Sequence, residues 1–131
     1  MKVIIAGSRN ITDFNTVKRA IEASEYNITE IVSGAAIGVD QLGEEYAIQN
    51  NIDIKIFTAK VYTLLNMEWS VYGKSAGYKR NEQMAEYADA LIAIWDGVSK
   101  GTKHMIDIMR VRNKANFVYI PGNEGIEIDI F

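Results

Sequence analysis

Four short clusters in the chain carry the residue types that handle anions. They are Gly7-Ser8-Arg9, Ser33-Gly34-Ala35-Ala36-Ile37-Gly38-Val39-Asp40, Ala76-Gly77-Tyr78-Lys79-Arg80-Asn81 and Asp96-Gly97-Val98-Ser99-Lys100-Gly101-Thr102. Glycine lets main chain approach a ligand closely, and amides at a helix N-terminus, aided by the helix dipole, face negative charge. Phosphate suits this combination best. Arg9 and Arg80 are read as holding it through the planar guanidinium fork, against a plain reading as solvated surface charge. Asp40 and Glu44 stand four apart and share a helix face. They are read as accepting ribose hydroxyls or, together with Asp96, as the candidate catalytic acids or bases; the structural alternative has Asp40 merely favouring a helix N-terminus. Asn81 serves a phosphate or a base edge, or simply caps. Ser99, Gly101 and Thr102 precede a helix, where an N-cap and a phosphate site coincide. The candidate ligand-binding set is therefore Gly7, Ser8, Arg9, Ser33, Gly34, Ala35, Gly38, Val39, Asp40, Glu44, Arg80, Asn81, Trp95, Asp96, Gly97, Ser99, Gly101 and Thr102, with Trp95 equally a packing residue.

These clusters need a scaffold that delivers them to one place. The runs Lys2 to Ala6, Glu30 to Val32, Ile52 to Phe57, Ala90 to Trp95 and Asn116 to Ile120 are near-continuously apolar or β-rich, as buried parallel strands are. Between them, helical spacing relates Phe14, Val17, Ala20 and Ile21, then Val39, Leu42, Tyr46 and Ala47, then Met84, Tyr87 and Ala88, then Met105, Ile106 and Met109. Strict alternation with right-handed crossovers predicts an α/β, Rossmann-like three-layer sandwich over residues 1–131 as a single domain. Its mainly parallel sheet of about five strands takes the order 3-2-1-4-5.

All four clusters then fall beyond the carboxyl ends of the strands, where open sheets bind ligands. The opposite edge, around Ala23 to Thr29, Gln49 to Asn51, Tyr87 to Asp89 and Asn113 to Ala115, contains no glycine. Lys74, Lys79, Lys100 and Lys103 add positive charge near the proposed edge. The stretch Lys60 to Tyr78, too long for a plain connection, reads as a lid or binding loop, with Ala76 to Asn81 opening the third helix. Trp69, Tyr72 and Tyr78 within it suit a small satellite core better than a stack over a base. The C-terminal segment Gly125 to Phe131 alternates apolar and acidic residues, and reads as an edge strand or an arm that pairs with another subunit.

Composition excludes several classes. The chain has no cysteine and one histidine, which removes disulfide scaffolds, thiol catalysis and zinc knuckles; no metal and no cofactor is expected, and His104 is not read as a ligand. The net charge of -3 opposes a whole-surface phosphate-backbone binder, so nucleic acid is not the expected partner. With no membrane-length apolar run and no secretory signal, a cytoplasmic location is expected.

The motifs G-S-R at 7 to 9, S-G-A-A-x-G-V-D at 33 to 40, W-x-x-Y-G-K-x-A-G-x-x-R-N from Trp69 to Asn81 and W-D-G-x-S-x-G-T from Trp95 to Thr102 together resemble the SLOG superfamily, the SMF/DprA and LOG relatives. The small stand-alone YspA-like branch is the part they resemble most. The resemblance implies a Rossmann-like fold and a nucleotide or nucleotide-derived ligand, and LOG relatives, which associate into oligomers, cleave the N-glycosidic bond of nucleoside monophosphates. The LOG pattern P-G-G-x-G-T-x-x-E places its glutamate where this chain has Met105. A thioether cannot stabilise an oxocarbenium-like charge or activate water. Ala35 and Ala36 replace a common G-G-A arrangement, which tolerates less positive-φ backbone. The expected function is binding of a phosphorylated nucleoside or nucleotide-derived small molecule in a sensor or sequestering role, as a homo-oligomer. The rivals are an N-glycosidic phosphoribohydrolase using Asp40, Glu44 or Asp96, and DprA-like binding of single-stranded nucleic acid.

Overall fold

A computed structural model describes residues 1–58, 69–122 and 127–129. The strands are β1 (Lys2–Gly7), β2 (Glu30–Ser33), β3 (Asp53–Ile56), β4 (Ala90–Ile94), β5 (Ala115–Tyr119) and β6 (Glu127–Asp129); the helices are α1 (Phe14–Ser24), α2 (Val39–Gln49), α3 (Trp69–Tyr87) and α4 (Lys100–Val111). They form a sheet of order β3-β2-β1-β4-β5-β6, with the first five strands parallel and β6 antiparallel to β5.

The apolar runs follow from burial on both faces. Successive strand residues point to opposite sides. Val3, Ile5, Ile31, Ile92 and Ile94 meet Val17, Ala20 and Ile21 of α1 and Val39 and Ala47 of α2. Ile4, Val32, Leu91, Ala93 and Val118 meet Met84, Ala85 and Ala88 of α3 and Met105, Ile106 and Met109 of α4. Every residue of β4, at the centre, is buried. At Gly43 a Cβ would stand 2.8 Å from the Ile5 side chain, so α2 lies against β1 with nothing between them.

The helix ends are tied individually. Asp13 accepts from the Asn15 N–H and the Thr16 hydroxyl, both at 3.1 Å, and so caps α1. At the far end of α3, Lys114 Nζ donates to the carbonyls of Ala85, Glu86 and Ala88 at 2.6, 3.0 and 2.7 Å, meeting the negative end of that helix with a cation.

The structure bears on three sequence expectations. Helix α3 begins at Trp69, not near Ala76, so Gly73 to Gly77 lies inside a helix and the third glycine cluster is no turn. The remainder of the proposed lid, residues 59–68, lies outside the described residues. Ala35 does adopt a positive φ of 59°, although alanine disfavours it. Of the two readings of the C-terminal segment, β6 pairs with β5 of its own chain, and residues 123–126 and 130–131 lie outside the described residues.

A cavity where the first and fourth strands diverge

Strand β1 is followed by helix α1 on one face and β4 by helix α4 on the other, and the two strands are neighbours with Gly7 opposite Ile94. The connections leaving them must part, which opens a crevice. A cavity of about 410 Å³ occupies it, walled by the turns after β1, β2 and β4, by α3, and by the first turn of α4.

The wall from β4 is built on Asp96. Its Oδ1 accepts the N–H groups of Val98 and Ser99, both at 2.8 Å, and its Oδ2 accepts the Ser99 hydroxyl at 3.0 Å. These bonds favour the ionised form and hold the carboxyl down at about 2, the Ser99 and Val98 amides acting most strongly. Gly97, at φ 84°, makes the turn they enclose. Ser8 Oγ accepts the Asp96 N–H at 3.0 Å and lies 3.1 Å from Ser99 Oγ, which joins the turns after β1 and β4. Ser99 has one hydroxyl proton and gives it to the carboxylate. Its oxygen makes no side-chain cap to α4, and the amides of Lys100, Gly101 and Thr102 open that helix toward the cavity.

The opposite wall comes from β2, α2 and α3. Arg80 donates from Nη1 to the Gly34 carbonyl at 2.7 Å and from Nε to Asn81 Oδ1 at 3.2 Å. Asn81 in turn points Nδ2 at the Gly101 carbonyl (3.4 Å) and at His104 Nδ1 (3.1 Å). A Cβ on Gly34 would lie 2.9 Å from both Arg80 Nη1 and Asp40 Oδ2, so the missing side chain is what lets guanidinium and carboxyl face one another. Asp40 is 5% exposed and accepts the Ala36 N–H at 3.3 Å. Burial lifts its pKa to about 6, with Glu44 pushing the same way and Arg80 and the loop amides opposing. Burial also lowers the Arg80 pKa, an effect that nearby Arg9 reinforces and Asp40 resists.

Helix α3 reaches this level because it is long. Its 19 residues span about 28 Å at about 1.5 Å each, whereas the five residues of β4 span about 17 Å at about 3.3 Å each. Running back along the sheet to Tyr87, it overhangs the carboxyl edge, and Arg80 and Asn81 stand beside the cavity from within the helix. They do not open it, as the sequence pattern predicts they would.

Of the residues singled out by sequence, Gly7, Ser8, Arg9, Asp40, Arg80, Asn81, Asp96, Ser99, Gly101 and Thr102 line the cavity. The others hold its walls in place. Ser33 donates to Glu44 Oε2 at 2.6 Å and accepts the Ala35 N–H at 3.1 Å, so Glu44 is engaged behind the loop. Gly38, at φ 90°, would bring a Cβ within 2.7 Å of the Arg9 carbonyl. Val39 is buried against Gly7, and the Trp95 indole donates to the Ser99 carbonyl at 3.0 Å. Ala6, Asn10, Ala36, Met84, Lys100 and Met105 also line the cavity and fall outside the candidate set. Helical periodicity puts both methionines in the core, where they are, but they form the cavity floor as well. Only the charge of Lys100 hints at its place.

The three candidate acids now separate chemically. Asp96 is held ionised by its own turn, and Glu44 is bonded to Ser33 outside the cavity wall. Asp40 alone both faces the cavity and has a proton affinity near neutrality. Met105, in the position where the LOG pattern has glutamate, does face the cavity. Among the described residues no three His, Asp or Glu side chains gather as a metal site would need, and no helix is long and apolar enough to cross a membrane.

Comparison with known proteins agrees with the fold. Residues 1–62 match the family described as YspA, cpYpsA-related SLOG. Over that stretch the chain is similar to the SLOG family. The chain also superimposes on the X-ray structure of DNA processing protein A (DprA) from Streptococcus pneumoniae, with a TM-score of 0.69 at 21% identity over 95% of its own length. At that identity the likeness shows the fold. It spans 51% of the DprA chain, about half. No curated protein matches it.

Proposed function

We propose that the cavity binds a phosphorylated nucleoside or a nucleotide-derived small molecule, with a phosphate at the α4 N-terminus. One observation carries the reading: an amide-lined helix start without a side-chain cap, bearing Lys100, shares a cavity of about 410 Å³ with Arg9 and Arg80. That volume is at the lower end of the roughly 300 to 1,000 Å³ typical of small-molecule sites. The nucleotide-related character of the SLOG family supports the choice of ligand class.

Binding without turnover, in a sensor or sequestering role, is the favoured form. Met105 offers no proton and no charge, and two of the three candidate acids are tied into structural bonds. The enzymatic alternative, N-glycosidic cleavage, rests on Asp40 alone. A thermal-shift screen of nucleoside mono- and diphosphates tests the binding reading, because a specific ligand raises apparent stability. Arg9→Ala should remove the response of the best hit; full retention would show the phosphate has been misplaced. Chromatography of the same mixtures for free base decides whether there is turnover, and Asp40→Asn should abolish any that is found.

The DprA likeness favours one second reading, binding of single-stranded nucleic acid through the same basic wall. A salt-sensitive mobility shift with an oligonucleotide, unaffected by competing mononucleotide, would support it. Association of copies into a homo-oligomer and a cytoplasmic location stay part of the proposal. Light scattering of the purified chain tests the first, and fractionation the second.

A further inference from the structure

An anion entering the cavity meets a buried carboxyl as well as cations. Asp40 is 5% exposed, lines the cavity, and faces Arg80 across the space left open by Gly34. The charged groups around it come from every side. Arg80 comes from α3 and Glu44 from its own helix; the amides of Gly34 and Ala36 come from the turn after β2. Arg9, on the turn after β1, pushes on Arg80, and Asp96 and Lys100 stand on the β4 side of the same cavity. After the Ala36 amide, the positive charge of Arg80 is the next support of the ionised form of Asp40. A phosphate or sulfate settling on Arg80 would remove that support and add a like charge close by. The cheapest response is for the carboxyl to take a proton.

We infer that an anionic ligand binds in this cavity together with one proton, which goes to Asp40, so that the site holds its ligand more tightly as the solution becomes more acidic. This rests on the anion-binding reading above and adds a regulation to it. The direction follows from linkage: a ligand that raises the proton affinity of a group binds better at lower pH. The group already titrates near 6 without ligand, which puts the sensitive range between about 6 and 8.

Sulfate is the clean probe, because it resembles phosphate but does not itself titrate in this range. Its affinity for the full chain is measured by calorimetry at about pH 6 and about pH 8, in two buffers of different ionisation enthalpy. If the bound pKa rises by about 1.5, sulfate binds about tenfold more tightly at the lower pH, and the buffer dependence reports uptake of most of one proton near pH 7. Asp40→Asn should bind with little pH dependence, which separates Asp40 from His104 and every other titrating group. The buffer dependence needs only the unmodified chain, so the inference stays testable if the variant folds poorly. Sulfate binding with a flat pH profile and no proton uptake overturns the coupling and leaves the anion site standing. An unchanged pH profile in Asp40→Asn also overturns it. No binding of sulfate or of any nucleotide at either pH overturns both readings.

Discussion

Replacing Asp40 by asparagine keeps the shape of the side chain and its acceptor for the Ala36 N–H, but removes the charge. The carboxyl titrates at about 6 in the folded chain against an ordinary 3.8, so folding raises its pKa by about 2. Between these values the folded chain holds a proton that the unfolded chain has released. Stability therefore falls as pH rises through that window, the reverse of the usual carboxylate case. At about 1.4 kcal/mol per pKa unit, the ionised carboxyl costs the fold up to about 3 kcal/mol above pH 7. Below about pH 4 it costs nothing. Asp40→Asn should therefore be more stable than the parent by up to about 3 kcal/mol at pH 8, with the gap narrowing as pH falls. The assay is urea unfolding followed by tryptophan fluorescence, taking the difference between the two proteins at each pH. Taking that difference cancels the titration of every shared carboxylate. A constant difference from pH 4 to pH 8 would refute the claim that this buried acid is ionised at the expense of the fold.

Asp96 makes the opposite prediction: its carboxyl is held at about 2, so the stability it adds is lost as pH falls from about 4 toward 2, and Asp96→Asn should flatten that limb of an acid-denaturation curve. Gly7→Ala would drive a Cβ to 2.1 Å from the Ile94 carbonyl, and should cost about 3 kcal/mol or more in urea unfolding because the two central strands must part. Lys114→Met should cost about 1 to 2 kcal/mol and speed hydrogen exchange around Ala85 to Ala88, whose carbonyls lose their cation. Ser8→Ala removes the acceptor of the Asp96 N–H; it should destabilise by about 1 to 2 kcal/mol and weaken any anion response in the thermal-shift assay.

The central strands were legible because parallel strands covered on both faces must be apolar throughout, and the exposed edge strand β3 by its β-branched isoleucines; each of β1 to β5 matches its predicted run to within a residue or two. The helical stripes of α1, α2 and α4 were legible for the same reason. The first half of α3 was not, since Gly73 and Gly77 mimic a turn and glycine is a poor helix former. The glycines at the carboxyl edge divide by physical cause. Gly7, Gly34 and Gly38 are required by neighbouring protein atoms, whereas an added Cβ at Gly97 or Gly101 meets nothing within 4 Å. The glycine-free opposite edge also has positive-φ positions, at Glu25, Asn51 and Asn113, so glycine at the carboxyl edge reflects close approach more than turn geometry. The sorting of the three acids could not be read from sequence, because it depends on which donors each oxygen meets.

The bonds of Arg80 and Asn81 have a mechanical consequence. Arg80 is permanently charged and can only donate, so it fixes which end of the Asn81 amide turns toward it; the other end must donate to His104, leaving the ring proton on Nε2. Gly34, Arg80, Asn81 and Gly101 thus form a continuous brace from the second strand's loop to the fourth helix. The loop after β2 and the first turn of α4 are thereby tied to one another through two adjacent side chains of α3, so the width of the crevice between them is set by a single guanidinium and a single amide.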